Sequence, residues 1–394
     1  LGSISYLGNG QVATDQIRES FIDYQIWREN SALGSYQTGH TMLSQIQDVF
    51  AEPSDAGIAN LMTEFWNSWN DLANDPDNET AKIVIRDKAV QLANGFNRVN
   101  DELIQYQNQL NLEIGEKVTK INGLINQISE LNQQILNTDD NGLKDSRALL
   151  IDELSEIVNI NVAETASGEF NVAISGIVVV SGSQVNNISY DSSKTGDLWE
   201  GEIRLESTNQ IIDIQAGELK AMLELQNDDI KNLVNKLNNL ASEFANQINT
   251  KHNDMTGYMF FDVSETLITA ANIKMDSTVF NNPNLIGQMT ESGDSTCALE
   301  MFNLQNKSVI NGNSFSEYYS GIITETGSAV NEAGYMKDAQ GLVVEKLLIE
   351  RLSVSGVSLD EEMTHMIQYE QAYNAAAKLI STVDDMIESM MNLI

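Results

Sequence analysis

The chain has 394 residues, with 22 basic and 57 acidic side chains and a net charge of −35. Its length exceeds a usual single domain and predicts two or three domains, each able to bury a core. So acidic a chain repels phosphate backbones and anionic headgroups, which sets nucleic acid and membrane aside as partners. The single Cys297 and three prolines exclude an intrachain disulfide framework and leave little material for a thiol metal site.

The opening LGSISYLGNG is polar and glycine-rich, and no run of about 18 apolar residues occurs anywhere. Neither a Sec-type leader nor a membrane span is expected, and the missing initiator Met is read as the mark of a trimmed fragment. From Gly10 to Phe50, Ile17, Phe21, Tyr24, Trp27, Leu43, Ile46 and Phe50 fall at helical intervals. The Gly34 and Gly39 region is read as the break between two helices. A third helix follows Asp55 and Gly57, with Ile58, Leu61, Met62, Phe65, Trp66, Trp69 and Leu72 on its apolar face, and stops at Asn74-Asp75-Pro76.

Between Asn78 and Thr138, Leu110, Ile114, Val118, Ile121, Ile125, Ile128, Leu131 and Ile135 recur at helical spacing, which predicts one long amphipathic helix in a rod-like bundle or coiled pair. The turn from Thr138 through Asp139, Asp140 and Asn141 to Gly142 has the look of a calcium loop. Ala148 stands where the bidentate glutamate belongs, so a plain polar turn is expected. After a short helix over 143–158 the period changes to two, at Ile160 and Val162, Phe170 to Ile174, Ile177 to Val180, Ile203 and Leu205, and Ile212 and Ile214. This predicts a compact β domain over 159–216 inserted in a helical body.

A second long helix is expected from Gly217 to Asn249, carrying Leu219, Met222, Leu223, Leu225, Ile230, Leu233, Leu237, Leu240, Phe244 and Ile248. Tyr258, Met259, Phe260 and Phe261 then sit in a turn-rich stretch read as a hairpin or irregular cap, and 264–300 gives no firm reading. Helical spacing returns over 313–353. In the last stretch, stepping alternately three and four residues from Leu359 visits Glu362, Met366, Tyr369, Tyr373, Ala376, Ile380, Val383, Ile387, Met390 and Ile394. Only Glu362 breaks this heptad seam, which demands either a partner helix or a core to pack against.

Little in the chain points to catalysis. His40, His252 and His365 are scattered, with no HExxH or H-x-H spacing, so no metal site is expected. Cys297 has no obvious base beside it and reads as a buried structural thiol. Asp360, Glu361 and Glu362 open a helix that Ser358 can cap, and Asp384 and Asp385 flank the seam, so both groups read as structural rather than as acid-base pairs. No cofactor is expected.

The run SGVSLDEEM from Ser355 to Met363, followed by QAYNAAAKLISTVDDM to Met386, resembles the C-terminal signature of the bacterial flagellar rod, hook and hook-associated proteins. GNGQVATDQIRESFIDYQIWR resembles the segment after that family's N-terminal helix. Asn141-Gly142-Leu143-Lys144-Asp145-Ser146-Arg147 resembles its entry to the β domain, and Gly217-Glu218-Leu219-Lys220 with Asn249-Thr250-Lys251-His252 its following helix. The long helix before the β insertion favours a hook-associated member over hook or distal rod proteins.

The resemblance implies a mainly α fold with an inserted β domain: an elongated helical rod, a flagellin-like coiled bundle, plus a small β domain. The rod would be discontinuous, 1–158 with 217–394, irregular near 252–300. It implies a non-enzymatic extracellular protein of the flagellum, exported by the flagellar type III pathway with an export chaperone. It also implies a short homo-oligomeric ring between hook and filament, touching hook protein and junction or filament proteins, with the chain ends coiled together. The family's Asn-rich N-terminal helix and the larger variable β domain after Asn249 are not seen here, and the last fifteen or so residues are expected to fray unless another molecule covers them. Two other readings stay open: a flagellin or other flagellar axial protein, and a surface-displayed enzyme or glycan-binding module using the acidic face or Tyr258 to Phe261.

Overall fold

The computed structural model describes residues 4–7, 11–14, 20–138, 140–265, 267–355 and 359–391, with side chains at 21–138, 140–265, 267–353, 363–364 and 366–382. It divides into a central unit, Ile26–Val344, and a terminal unit of Leu1–Gln25 with Glu345–Ile394. The long apolar stripe of the sequence folds as expected into a single helix, α3 (Glu79–Thr138), 60 residues and so about 90 Å of unbroken spine. Ahead of it lie a two-stranded antiparallel hairpin, β1 (Ile4–Leu7) with β2 (Gln11–Thr14), then α1 (Ser20–Phe50) and α2 (Ile58–Asn74).

The expected break in α1 is absent: the helix runs 31 residues without interruption. Gly34 serves close packing instead of a turn. A Cβ there would stand 2.2 Å from the backbone oxygen of Glu156, so only a residue without a side chain lets the two segments approach.

Beyond α3 come α4 (Asn141–Ile157), seven strands and α5 (Glu218–Glu224). Asp140 caps α4 by accepting from the Gly142 N–H at 2.6 Å, the plain polar turn expected; Asp139 lies outside the described residues. The strands form two antiparallel sheets. One has the order β3 (Ile160–Glu164), β4 (Phe170–Ile174), β5 (Ile177–Ser181), β6 (Gln184–Val185); the other β7 (Ile188–Thr195), β8 (Leu198–Leu205), β9 (Ile211–Ile212).

Three carboxamides on α3 hang these sheets on the spine, each pairing with one backbone residue as a strand neighbour would. Asn122 donates to Ile188 O at 2.8 Å and accepts from Ile188 N–H at 3.0 Å. Asn132 does the same with Phe170, at 2.8 and 3.0 Å, and Gln107 with Trp199, at 3.1 and 2.9 Å. At 100° per residue these three positions share one face of the helix, the face that also carries Ile114, Val118 and Ile125. Gln107 and Asn132 are fully buried, so their amides satisfy strand groups that water cannot reach.

Asn132 also donates to Gly182 O at 2.9 Å and accepts from Arg147 at 2.7 Å, while the Arg147 guanidinium stacks 3.7 Å over the Phe170 ring. Replacing Asn132 by Leu strands the N–H and C=O of Phe170 and one Arg147 donor. We expect Asn132→Leu to cost about 2–3 kcal/mol of unfolding free energy, read from urea melts, with Asn132→Gln not restoring it because the longer arm misses Phe170.

A π turn (Leu225–Asp229) joins α5 to α6 (Ile230–Thr256). It aims the Gln226 carbonyl at Gln107, which donates to it at 2.8 Å, and the Asn227 amide at Gly201, paired both ways at 3.0 and 2.9 Å. After α6 the chain is irregular but built. It holds α7 (Ser277–Asn281), a 3-10 turn (Pro283–Leu285) and α8 (Thr296–Asn303), the last packing on α2 and α6. Two long helices close the chain, α9 (Phe315–Ser355) and α10 (Leu359–Met391).

The central core is aromatic. Phe65, Trp66, Trp69, Phe96, Phe244, Phe260, Phe261 and Phe315 are all buried, with rings such as Phe65 and Trp66, or Phe244 and Phe315, 5.0 and 5.2 Å apart in edge-to-face pairs. His252 lies within it, 5.3 Å from the Phe260 ring.

Candidate assembly surface

In an ordinary helix the large apolar side chains are covered; on α10 the described ones are bare. Among its described side chains every one is exposed. Met366 is 67% exposed, Tyr373 76% and Ile380 69%, against 0–1% for the core aromatics Phe65, Trp66 and Trp69. Met366, Tyr369, Tyr373, Ala376 and Ile380 step by three and four, which places all five within an arc of about 80° on a helix. The side chains of Leu359, Val383, Ile387 and Met390, and Ile394 altogether, lie outside the described residues.

The apolar surface is wider than the heptad positions alone. Met363 and Ile367 are 57% and 51% exposed on one flank of the seam, Leu379 is exposed on the other, and Ile349 and Leu352 stand bare on the part of α9 that belongs to the terminal unit. Sequence reasoning missed Met363 and Ile367, though their four-residue spacing beside Met366 is itself a helical signal. In the same unit Asp23, almost fully buried, pairs with Arg351 at 3.6 Å.

Other candidates resolve into structure. Phe260 and Phe261 are fully buried with Asn249 bonding their backbones, so this half of the Tyr258 to Phe261 stretch caps the aromatic core, closed by an isolated Phe261 to Met275 bridge, while Tyr258 and Met259 are exposed. His252 donates through Nδ1 to Tyr258 O at 2.7 Å and accepts the Gly287 N–H through Nε2 at 3.2 Å, and burial lowers its pKa to about 4. Among the described residues no three His, Cys, Asp or Glu side chains are placed to hold a metal ion.

Cys297 is buried on α8, and burial first, then Asp294, pushes its thiol up to about 12. Iodoacetamide at neutral pH is therefore expected to leave the native chain unmodified and to alkylate it only in denaturant, as mass spectrometry would show.

Residues 43–259 match the family model described as the flagellar hook-associated protein FlgK helical domain. A relative from Bacillus subtilis (strain 168), flagellar hook-associated protein 1, is 31% identical over 96% of this chain and 85% of its own length. The chain belongs to the flagellar hook-associated protein 1 family. Residues 350–393 match a second model, the C-terminal region of flagellar basal body rod FlgEFG proteins, and the whole of α10 lies within that match.

Members from Salmonella typhimurium (strain LT2) and Escherichia coli (strain K12) are each 22% identical over the full chain and 91% of their own lengths. The solved structure of the flagellar hook junction protein FlgK from Burkholderia pseudomallei superposes with a TM-score of 0.75 at 14% identity, covering 85% of this chain and all of that one, which shows the same fold. A hook-associated protein 1 family member is a structural, non-enzymatic protein of the extracellular bacterial flagellum, as the sequence resemblance implied. Its mainly helical fold with small antiparallel sheets matches that expectation too.

Proposed function

We propose that this chain is a structural subunit of the junction between flagellar hook and filament, and that the bare face of α10 is the surface that builds it into the axial assembly. The observation that carries this is the exposure of Met366, Tyr373 and Ile380 on a helix whose segment matches the C-terminal model of flagellar rod proteins. Each such side chain gains about 1.5–3 kcal/mol on burial, so the face has a large gross free energy to recover from a partner.

In this reading the seam extends through Leu359, Met366, Tyr369, Tyr373, Ala376, Ile380, Val383, Ile387, Met390 and Ile394. The helical body, 1–158 with 217–394, forms the rod and 159–216 the inserted β domain, hung on α3 by its carboxamides. The partners are like subunits in a short ring, hook protein on one side, filament-side proteins on the other, and a chaperone during export. Deleting residues 380–394 tests the reading. Cells carrying the deletion should export subunits and build hooks but shed filaments into the medium, while the purified variant keeps the near-ultraviolet spectrum of its Trp66 and Trp69 core. Filaments that remain on hooks would contradict it.

A further inference from the structure

Sulfur is unevenly placed in this chain. Five of its 14 methionines, Met363, Met366, Met386, Met390 and Met391, fall within the 33 residues of α10. Of these five the structure describes the side chains of Met363 and Met366, and both are more than half exposed, at 57% and 67%. Three residues apart on a helix, they lie side by side, Met366 on the seam and Met363 on its flank.

Elsewhere the oxidisable sulfur is guarded. Met62 and Met301 show no surface at all, Met222 almost none, and Met336 and Met259 follow the α10 pair at 41% and 36%. Cys297 is buried with its thiol pushed up to about 12, so little thiolate is present to compete for an oxidant.

A thioether suits an assembly face because it is unbranched and polarisable and can fill an irregular contact. The same atom is open to oxygen transfer. With hydrogen peroxide the O–O bond breaks and an S–O bond forms; the sulfur loses two electrons, and the peroxide leaves as water. The product is a polar, chiral sulfoxide, whose oxygen must be dehydrated, without an assured donor, when the face is covered. An apolar contact becomes a costly one.

We infer that Met363 and Met366 form an oxidation site, where hydrogen peroxide converts both thioethers to sulfoxides and closes α10 to assembly while the central fold stays intact. The consequence for assembly rests on the junction reading above. The selectivity does not, because it is read on the free chain.

The whole chain is treated with hydrogen peroxide until about half of it is oxidised at the most reactive site, and each methionine is mapped by mass spectrometry. Met363 and Met366 should oxidise at least about tenfold faster than Met62, Met222 and Met301. Equal rates, or loss of the near-ultraviolet spectrum of the Trp66 and Trp69 core, would overturn the inference. The partly oxidised chain is then offered in excess to hook structures isolated from cells that lack it, and the sedimented and free pools are mapped separately. We expect sulfoxide at Met363 and Met366 to be depleted at least about fivefold in the sedimented pool, with sulfoxide at Met259 divided evenly between the pools. Even division at all three positions overturns the inference, and so does depletion at Met259 equal to that at the pair. Untreated chain that does not sediment with hooks is a different failure: it removes the junction reading and, with it, the consequence drawn here.

Discussion

Replacing Met366, Tyr373 and Ile380 together by Asp is expected to abolish attachment of filaments to hooks while leaving the central core as stable as before. The first half follows from what these side chains lose. Buried in an assembly, each contributes about 1.5–3 kcal/mol, and a carboxylate in its place must be dehydrated without a partner, so the triple change removes far more than a subunit contact can spare. The second half follows from their exposure of 67%, 76% and 69%. Surface changes of this kind usually stay within about 0.5 kcal/mol, and even the poorer helix propensity of Asp acts locally on α10. Motility halos and electron micrographs read the first half, and urea melts followed at the core tryptophans read the second. A loss of core stability of several kcal/mol would mean that α10 is a core helix in the free chain.

The second large effect is on acid stability. His252 is neutral in the fold, with its Nδ1–H on Tyr258 O and its Nε2 lone pair taken by the Gly287 N–H, and its pKa lies at about 4 against 6.5 for an ordinary histidine. Protonating Nε2 would set two N–H donors against each other inside an aromatic shell. The unfolded chain binds this proton first, so the contribution is complete above pH 6.5 and falls as the pH drops towards 4. The rate is about 1.4 kcal/mol per pH unit, which gives about 2 kcal/mol lost between pH 7 and pH 5. Carboxylates with lowered pKa values, such as Glu317 held by Ser314, act mainly at lower pH, and the raised ones, Glu156 and Asp229, act with the opposite sign, so the share of His252 is read as the difference in slope between the protein and His252→Gln. His252→Gln should be less stable at pH 7 yet flatter over this range. Equal slopes in the two proteins would remove His252 from the account.

The helices were legible because burial repeats with their period. Ile58 to Leu72, the α3 stripe and the α10 seam could each be counted from the sequence. The long spine and the existence of strands after it followed. The attachment of those strands was not legible, and the reason is chemical. Gln107, Asn122 and Asn132 fall on the apolar face of α3, where a polar residue reads as a lapse in the pattern. Only the structure shows that each amide completes a strand backbone. Gly34 misled for a related reason, since a glycine that admits a neighbouring backbone looks the same in sequence as one that ends a helix. The π turn did leave a trace: Leu225 and Ile230, both buried, are five apart where the rest of that face steps by three and four.

On α10 the period was readable and its consequence was not, because a heptad seam looks alike whether a core or another subunit covers it. The exposure of Met366, Tyr373 and Ile380 is what favours another subunit in the reading proposed above. The most direct measurement uses Tyr373→Cys, which places a thiol at the centre of the bare face, while the native Cys297 stays buried and silent. The rate of maleimide labelling is compared between the free chain and isolated hook-filament structures that carry the same substitution and still assemble. The account predicts rapid labelling of the free chain and strong protection in the assembled structures. Equal labelling in both would contradict it, for the face would then remain open to water where it is held to meet its neighbours.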